Sequence, residues 1–412
     1  MTAPPAGRVL FVNRFYWPDH SATAQILTDL ASDLAARGWA VTVLTSRLRY
    51  DGGEALPPVA QHAGVTIERV ATTGFGRGNL VGRAIDYASF YVAASLAAAR
   101  LLQRGDIVVA KTDPPLLQIP LAAVARLRGA QLVNWMQDVY PELAVALGVR
   151  ALRGLPARAL VALRNRALRS AARTVAIGAR MRAVLVAAGV PAGSVAEIHN
   201  WGDDAVLRGA CAGSPLRAEW GFAPERLVVA YSGNLGRAHD LDTMLGAARI
   251  LSVEGAPVDF LFIGGGALAE RLDAAGLPNL HRRPYQAREN LPRSLAVADL
   301  HWLSLRPQLE GLIVPSKFYG AAASARPVLF IGAADGEVAQ LVRRHDCGWI
   351  FAPGDATGVA AQLRRLAADR AALAAPGANA RSMVAARFTR AHSAAAWVSL
   401  LHEVLADQAR TP

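Results

Sequence analysis

Residues 258–266 read VDFLFIGGG, a mostly apolar run that stops on three consecutive glycines. Val, Phe, Leu and Ile in a run of this length describe a strand buried on both faces, and glycine directly after it permits a tight turn into a helix. The same signature stands upstream at 226–236, RLVVAYSGNLG, where Gly233 and Gly236 follow the apolar run. At such a turn a helix N-terminus offers free backbone N–H groups, and the chain can approach a phosphate or a base closely. Neither stretch has the G-x-G-x-x-G or Walker A spacing, so bound NAD and P-loop chemistry are not supported.

Outward from these turns, short apolar runs recur at 281–284, 300–303, 327–331 and 348–351. The N-terminal half shows them at 8–13, 39–45, 65–70, 106–111, 131–137 and 174–177, with helical periodicity over 21–37 that ends at Gly38. Strands alternating with helices predict parallel sheets covered by helices, and the restart of the pattern predicts two Rossmann-like halves in series. A last helix is expected over 391–407, amphipathic enough to pack on either half.

The 412 residues, 53% hydrophobic, are ample for two cores. Cys211 and Cys347 stand far apart and give neither zinc spacing nor a disulfide framework, which fits a reducing compartment. No metal and no cofactor are expected. The first residues carry no long apolar segment before the first strand, so the expected location is the cytoplasm. A formal charge of +12 calls for an anionic partner: nucleotide phosphates, an acidic membrane surface or nucleic acid. Nucleic acid is set aside, because the chain has no basic tail and no interleaving of aromatic and basic residues.

Residues 308–327, QLEGLIVPSKFYGAAASARP, set Glu310 and Lys317 among Leu312, Ile313, Val314 and Phe318. Both charges would be costly as plain core, so the stretch reads as a ligand site. Lys317 and Lys111 are the only lysines among 44 Lys and Arg residues, which hints that a compact ammonium is wanted here. A surface lysine at a helix start is the plainer alternative.

Together with YSGNLGRAHDLDTML (231–245), FLFIGGG (260–266), RRPYQARENLPRSLAVADL (282–300) and NWMQDVYPE (134–142), this stretch resembles the retaining glycosyltransferases of the GT-B fold, in the large family 4 group and in particular its bacterial polysaccharide and O-antigen members. The resemblance implies an α/β protein of two Rossmann-like domains facing a cleft. It implies an acceptor-binding domain over 1–203, a nucleotide-sugar-binding domain over 204–390, and a helix over 391–412 crossing back to the first. The implied reaction moves a hexose or N-acetylhexosamine from a nucleotide-diphosphate sugar, UDP-sugar favoured, to a glycan or lipid-linked saccharide, with retention and without a metal. A nucleotide-sugar epimerase of the same fold, resembling the UDP-N-acetylglucosamine 2-epimerases, is the second reading.

A leaving diphosphate gains negative charge, so donors and cations must converge on it. Arg237 and Lys317 are the candidate cations, helped by backbone N–H groups after Gly233. The resemblance places Glu310 near the donor-sugar hydroxyls and Pro284, Tyr285 and Gln286 around the nucleobase, with Gly265, Gly311, Leu312 and Ser316 also on the donor. His239 stands where many relatives carry a phosphate-binding lysine and Asn234 where they carry an arginine. The family's E-x7-E pair is incomplete: Phe318 occupies the second position, Gly320 follows the PSKFY run, and Glu337 is the substitute, unless it serves only its own helix dipole.

On the acceptor side, Asp138 ends a strand, where ligands of such sheets bind, although an N-cap before Pro141 would also explain it. Asp19 and His20 lie in the first loop, with Ser21 and Ala22 where relatives have glycines. Residues 148–173, carrying Arg150, Arg153, Arg158, Arg164, Arg166, Arg169 and Arg173, predict a basic amphipathic helix able to lie on anionic lipid. The apolar, aromatic segment 80–102, interrupted by Arg83 and Asp86, adds to that surface and is too short and charged for a confident span.

Overall fold

The computed structural model describes residues 6–50, 52–76, 80–149, 154–209 and 214–410. Arg150, Arg153 and Cys211 lie outside the described residues. The chain forms two compact units, passing from the first to the second at His199–Asn200 and returning at His392–Ser393.

The first unit is built on eight strands: β1 (Arg8–Val12), β2 (Ala40–Ser46), β3 (Val59–His62), β4 (Val65–Val70), β5 (Ile107–Ala110), β6 (Gln131–Met136), β7 (Arg173–Ala176) and β8 (Val195–Glu197). Their order is β3-β4-β2-β1-β5-β6-β7-β8, parallel throughout except for the β3–β4 hairpin. Strands β3 and β8 escape the apolar-run reading, since β3 is half exposed and β8 is only three residues long, whereas β4 is the run expected at 65–70. A turn signal for the hairpin was nonetheless present: Ala63 and Gly64, at φ 49° and 79°, form the two-residue loop with two left-handed positions that hairpins favour.

Helix Ala22–Ala36 is capped by the Ser21 hydroxyl, which accepts from Ala24 N at 3.3 Å, and buries Leu27, Leu30, Ala31 and Leu34 at helical spacing. The closing helix Arg390–Arg410 packs Trp397 against Phe11 and Trp135, with a ring separation of 4.8 Å to Trp135.

The basic helix is shorter than its sequence suggests and not uniformly solvated. It runs over Leu155–Ser170, and Arg173 lies in β7, paired with Asp407 at 2.6 Å. Arg164 is fully buried, donating to Tyr140 O at 3.0 Å and Glu142 Oε1 at 2.5 Å. A buried guanidinium keeps its charge by such pairing, so Arg164 and Arg173 are structural ion pairs and not lipid contacts.

The second unit holds β9 (Leu227–Ser232), β10 (Val258–Ile263), β11 (Leu280–Arg283), β12 (Leu300–Ser304), β13 (Val328–Ile331) and β14 (Gly348–Phe351), all parallel in the order β11-β10-β9-β12-β13-β14. Strand order reverses between β9 and β12, as it does between β1 and β5 in the first unit. At such a reversal the following connections leave toward opposite faces, opening a crevice at the strands' carboxyl ends. Both candidate sites lie at these points.

Candidate active site

In the second unit, β9 ends in Gly233 at φ 127° and β10 in Gly264 and Gly266 at 128° and 129°, conformations that favour glycine. The turns are bonded together: Gly233 N donates to Ile263 O at 2.8 Å, Leu235 N to Gly265 O at 2.7 Å and Gly264 N to Arg283 O at 2.9 Å. A Cβ on Gly264 would strike Gly233 O, and one on Gly266 would meet Asn234 Oδ1 and Leu235 O at 2.5 Å. Glycine is therefore required here for close packing of one turn on another, a need that the GGG run signals.

Lys317 begins the helix Lys317–Ala323, and its methylene stem lies along Gly233, where a Cβ would sit 2.5 Å from Lys317 Cε. The ammonium is 5.5 Å from the centre of the Tyr231 ring. Burial lowers its pKa to about 8, because water is withdrawn from the charge and no nearby carboxylate restores it. An under-solvated cation beside a glycine turn is suited to an anionic ligand.

His239 is 7% exposed, and its Nδ1 donates to Ser304 O at 2.7 Å. Burial first, then the Lys317 and Arg306 cations, hold its pKa down to about 3. So low a pKa leaves the ring uncharged near neutral pH. Arg306, which the sequence reading passed over, bonds this loop through its N–H to Ala238 O at 3.0 Å. Its position three residues after the apolar run 300–303 was the available signal. Arg237 and Asn234 are exposed on the same turn.

Glu310 is followed by Gly311, which at φ 76° turns the chain; Leu312 is buried, and Ser316 precedes the Lys317 helix. The Glu310 carboxylate accepts from Glu337 N at 3.1 Å, at the start of helix Glu337–His345, where a partial positive charge favours an anion. Gly336 is the glycine that makes room, since a Cβ there would overlap Glu310 Oε1. Glu337 itself is 7% exposed. Pro284, Tyr285 and Gln286 follow β11; Tyr285 is 60% exposed and its ring edge would be 3.4 Å from a Cβ on Gly265, while Gln286 Nε2 donates to Pro284 O at 3.0 Å. The second unit thus brings Lys317 and Arg306 against the turn that carries Gly233 and His239, and Glu310 with Glu337 at one helix start.

In the first unit, Lys111 follows β5 and is fully buried, its ammonium donating to Thr23 O at 2.8 Å and lying 4.0 Å from the centre of the Trp135 ring. Asp138 lies beyond β6, and burial together with the neighbouring Asp113 raises its pKa well above the carboxylate range, while Lys111 draws it back. Gln137 N donates to Thr112 Oγ1 at 3.3 Å and Arg14 N to Asp113 O at 2.6 Å, so the ends of β1, β5 and β6 form one polar group. Asp19 accepts from Tyr50 N at 2.8 Å.

Two Rossmann-like α/β units, each with polar groups gathered at the carboxyl ends of its parallel strands, define the GT-B class of fold. The model described as "Glycosyl transferase 4-like domain" matches residues 21–201 and that described as "Glycosyl transferases group 1" matches 226–369, and the chain belongs to this family of GT-B, family 4-like glycosyltransferases. A curated relative, the probable glycosyltransferase WbjE of Pseudomonas aeruginosa, is 29% identical over 265 residues, 63% of this chain and 65% of its own length. The matched stretch therefore spans just under two thirds of that relative. Among solved structures, sucrose-phosphate synthase from Thermosynechococcus elongatus superposes with a TM-score of 0.77 at 18% identity, covering 97% of this chain and 100% of its own. Anabaena HepE, solved in complex with UDP and glucose, gives 0.69 at 18% identity, covering 96% and 100%.

Proposed function

We propose that the protein transfers a hexose or N-acetylhexosamine from a UDP-sugar to a lipid-linked saccharide in bacterial surface polysaccharide synthesis, with retention and without a metal ion. The observation that carries the reading is the under-solvated Lys317 ammonium laid along Gly233 at the strand-order reversal of the second unit. The description of HepE with UDP and glucose supports a uridine donor, and the match to the putative colanic acid biosynthesis glycosyl transferase WcaI of Escherichia coli, 26% identical over 226 residues, supports a polysaccharide context. That both matched models describe glycosyl transferases favours transfer over epimerisation.

In this reading Lys317 and Arg237, with N–H groups after Gly233, take the diphosphate, and Asn234, His239, Gly265, Gly311, Leu312 and Ser316 complete the donor site. Tyr285, between Pro284 and Gln286, borders the base. Glu310 meets the sugar hydroxyls, with Glu337 behind it. The sugar C1–O bond to phosphate breaks as the acceptor oxygen forms its own bond to C1 on the same face, and the acceptor proton passes to the departing phosphate oxygen. Asp138 orients the acceptor hydroxyl. The test is a panel of nucleotide sugars: a ligand at a hundred times its Kd stabilises the fold by about 2.7 kcal/mol. The reading fails if no nucleotide sugar raises the melting temperature and none is hydrolysed or transferred.

A further inference from the structure

Helix Leu80–Leu101 of the first unit is apolar on both sides. Its inner side buries Phe90, Ala94 and Ala98, yet Val81, Ile85, Val92 and Leu96 are 71%, 43%, 63% and 58% exposed. The steps of four, seven and four residues place these four on one stripe, about 22 Å long at 1.5 Å per residue. A helix that is hydrophobic all round is ordinarily buried, and an exposed apolar stripe of this length marks a contact surface.

Three further facts identify what covers it. The helix packs beside Gln118–Arg128, which packs beside Leu155–Ser170. Across all three the sole carboxylate is Asp86, which is buried, whereas Arg100, Arg126, Arg128, Arg158, Arg166 and Arg169 are exposed, with Leu127 and Leu155 each 78% exposed among them. Asp86, read from the sequence as an interruption of an apolar segment, instead accepts from Thr73 Oγ1 at 2.8 Å, Phe75 N at 2.9 Å and Gly76 N at 3.1 Å. It thereby pins a loop that holds Phe75 61% exposed next to the helix. No helix among the described residues is long and apolar enough to cross a membrane.

We infer that this face docks on an anionic lipid bilayer, the apolar stripe and Phe75 entering the headgroup boundary and the arginines meeting lipid phosphates. Its purpose rests on the lipid-linked acceptor proposed above; its test does not. Sedimentation with phosphatidylcholine vesicles, with and without phosphatidylglycerol, compares the full chain with the Val92→Asp/Leu96→Asp variant. Both positions are solvent-exposed, so the fold tolerates the change. The native chain should bind the anionic vesicles more tightly than the neutral ones and lose affinity as salt rises. The variant should bind at least about tenfold more weakly, from the partition of buried apolar side chains.

Equal binding by variant and native chain, or no binding by the native chain, overturns the inference. So does a native dimer that the substitutions dissociate, which would assign the stripe to a second copy. A nucleotide-sugar melting shift, measured on both proteins, separates the two readings: vesicle binding without any such shift removes the proposed donor and leaves the docking face standing.

Discussion

Replacing Lys317 by Met keeps the methylene stem along Gly233 and removes the charge, which separates packing from electrostatics. The ammonium's pKa is lowered from 10.5 to about 8, so its burial costs the native state about 3 kcal/mol, at 1.36 kcal/mol per pH unit. Lys317→Met should recover much of this below pH 8, where the lysine is charged in both folded and unfolded chains. As pH rises from about 8 towards 10.5 the folded protein sheds its proton first, the cost disappears, and the melting advantage of the variant should vanish. Lys317→Ala also loses about three methylenes of packing, about 2.4 kcal/mol, and should lie within about 1 kcal/mol of the native chain. Turnover should fall at least about a hundredfold in both, as when one donor to a developing anion is removed. In the native enzyme donor affinity should be flat below pH 8 and weaken above it, because the protonated form is the one that meets the diphosphate. Calorimetric melting from pH 6 to 10 and initial rates of nucleotide release measure each term. A Met variant that melts lower than the native chain at pH 7, or that keeps a near-normal rate, would show that the lysine is a packing element.

Glu310→Gln retains an oxygen to accept from Glu337 N, so it should melt within about 1 kcal/mol of the native chain, while Glu310→Ala loses that cap and about 1–2 kcal/mol. Both should lose about a hundredfold in rate; a fully active Gln variant would leave the carboxylate only its capping role. Gly264→Ala, at φ 128° and facing Gly233 O, should cost at least about 2 kcal/mol and weaken donor binding, read by denaturant melts and nucleotide titration. Turnover should persist in EDTA, with the cations supplying the charge; loss on chelation that Mg or Mn restores would replace the proposed mechanism.

Periodicity carried the parallel sheets well because their strands are buried runs closed by glycine, as in VDFLFIGGG. It failed where burial is partial, at Val59–His62, and where the run is too short to count, at Val195–Glu197. Arginine spacing misled in a different way. At about 100° per residue Arg164 falls on the other side of the helix from Arg158, Arg166 and Arg169, but only the fold supplies the Glu142 and Tyr140 oxygens that take it inside. The charge state of His239 was equally illegible, since it depends on desolvation and on Lys317 and Arg306, which are distant in sequence. Asp86 shows the same limit: a carboxylate in an apolar helix reads as a flaw until the backbone donors of Phe75 and Gly76 are placed against it.

The two lysines make the opposite case, where rarity alone was informative. Lys111 follows β5, beside β1, and Lys317, which begins the helix between β12 and β13, lies against the turn after β9, so each occupies the strand-order reversal of its own sheet. Both are desolvated enough to lower their pKa, and both have an aromatic ring near the ammonium, Trp135 for one and Tyr231 for the other. A guanidinium presents five donors in a plane and would leave most of them unpaired in such a space, whereas an ammonium needs fewer partners and fits along a glycine. Among the described arginines, those taken inside spread their donors over several oxygens, as Arg69 does on Pro57 O and Trp17 O and Arg164 on Tyr140 O and Glu142 Oε1. Lysine persists where a small charge must be kept poorly solvated, and its proton sets the pH above which the charge is lost.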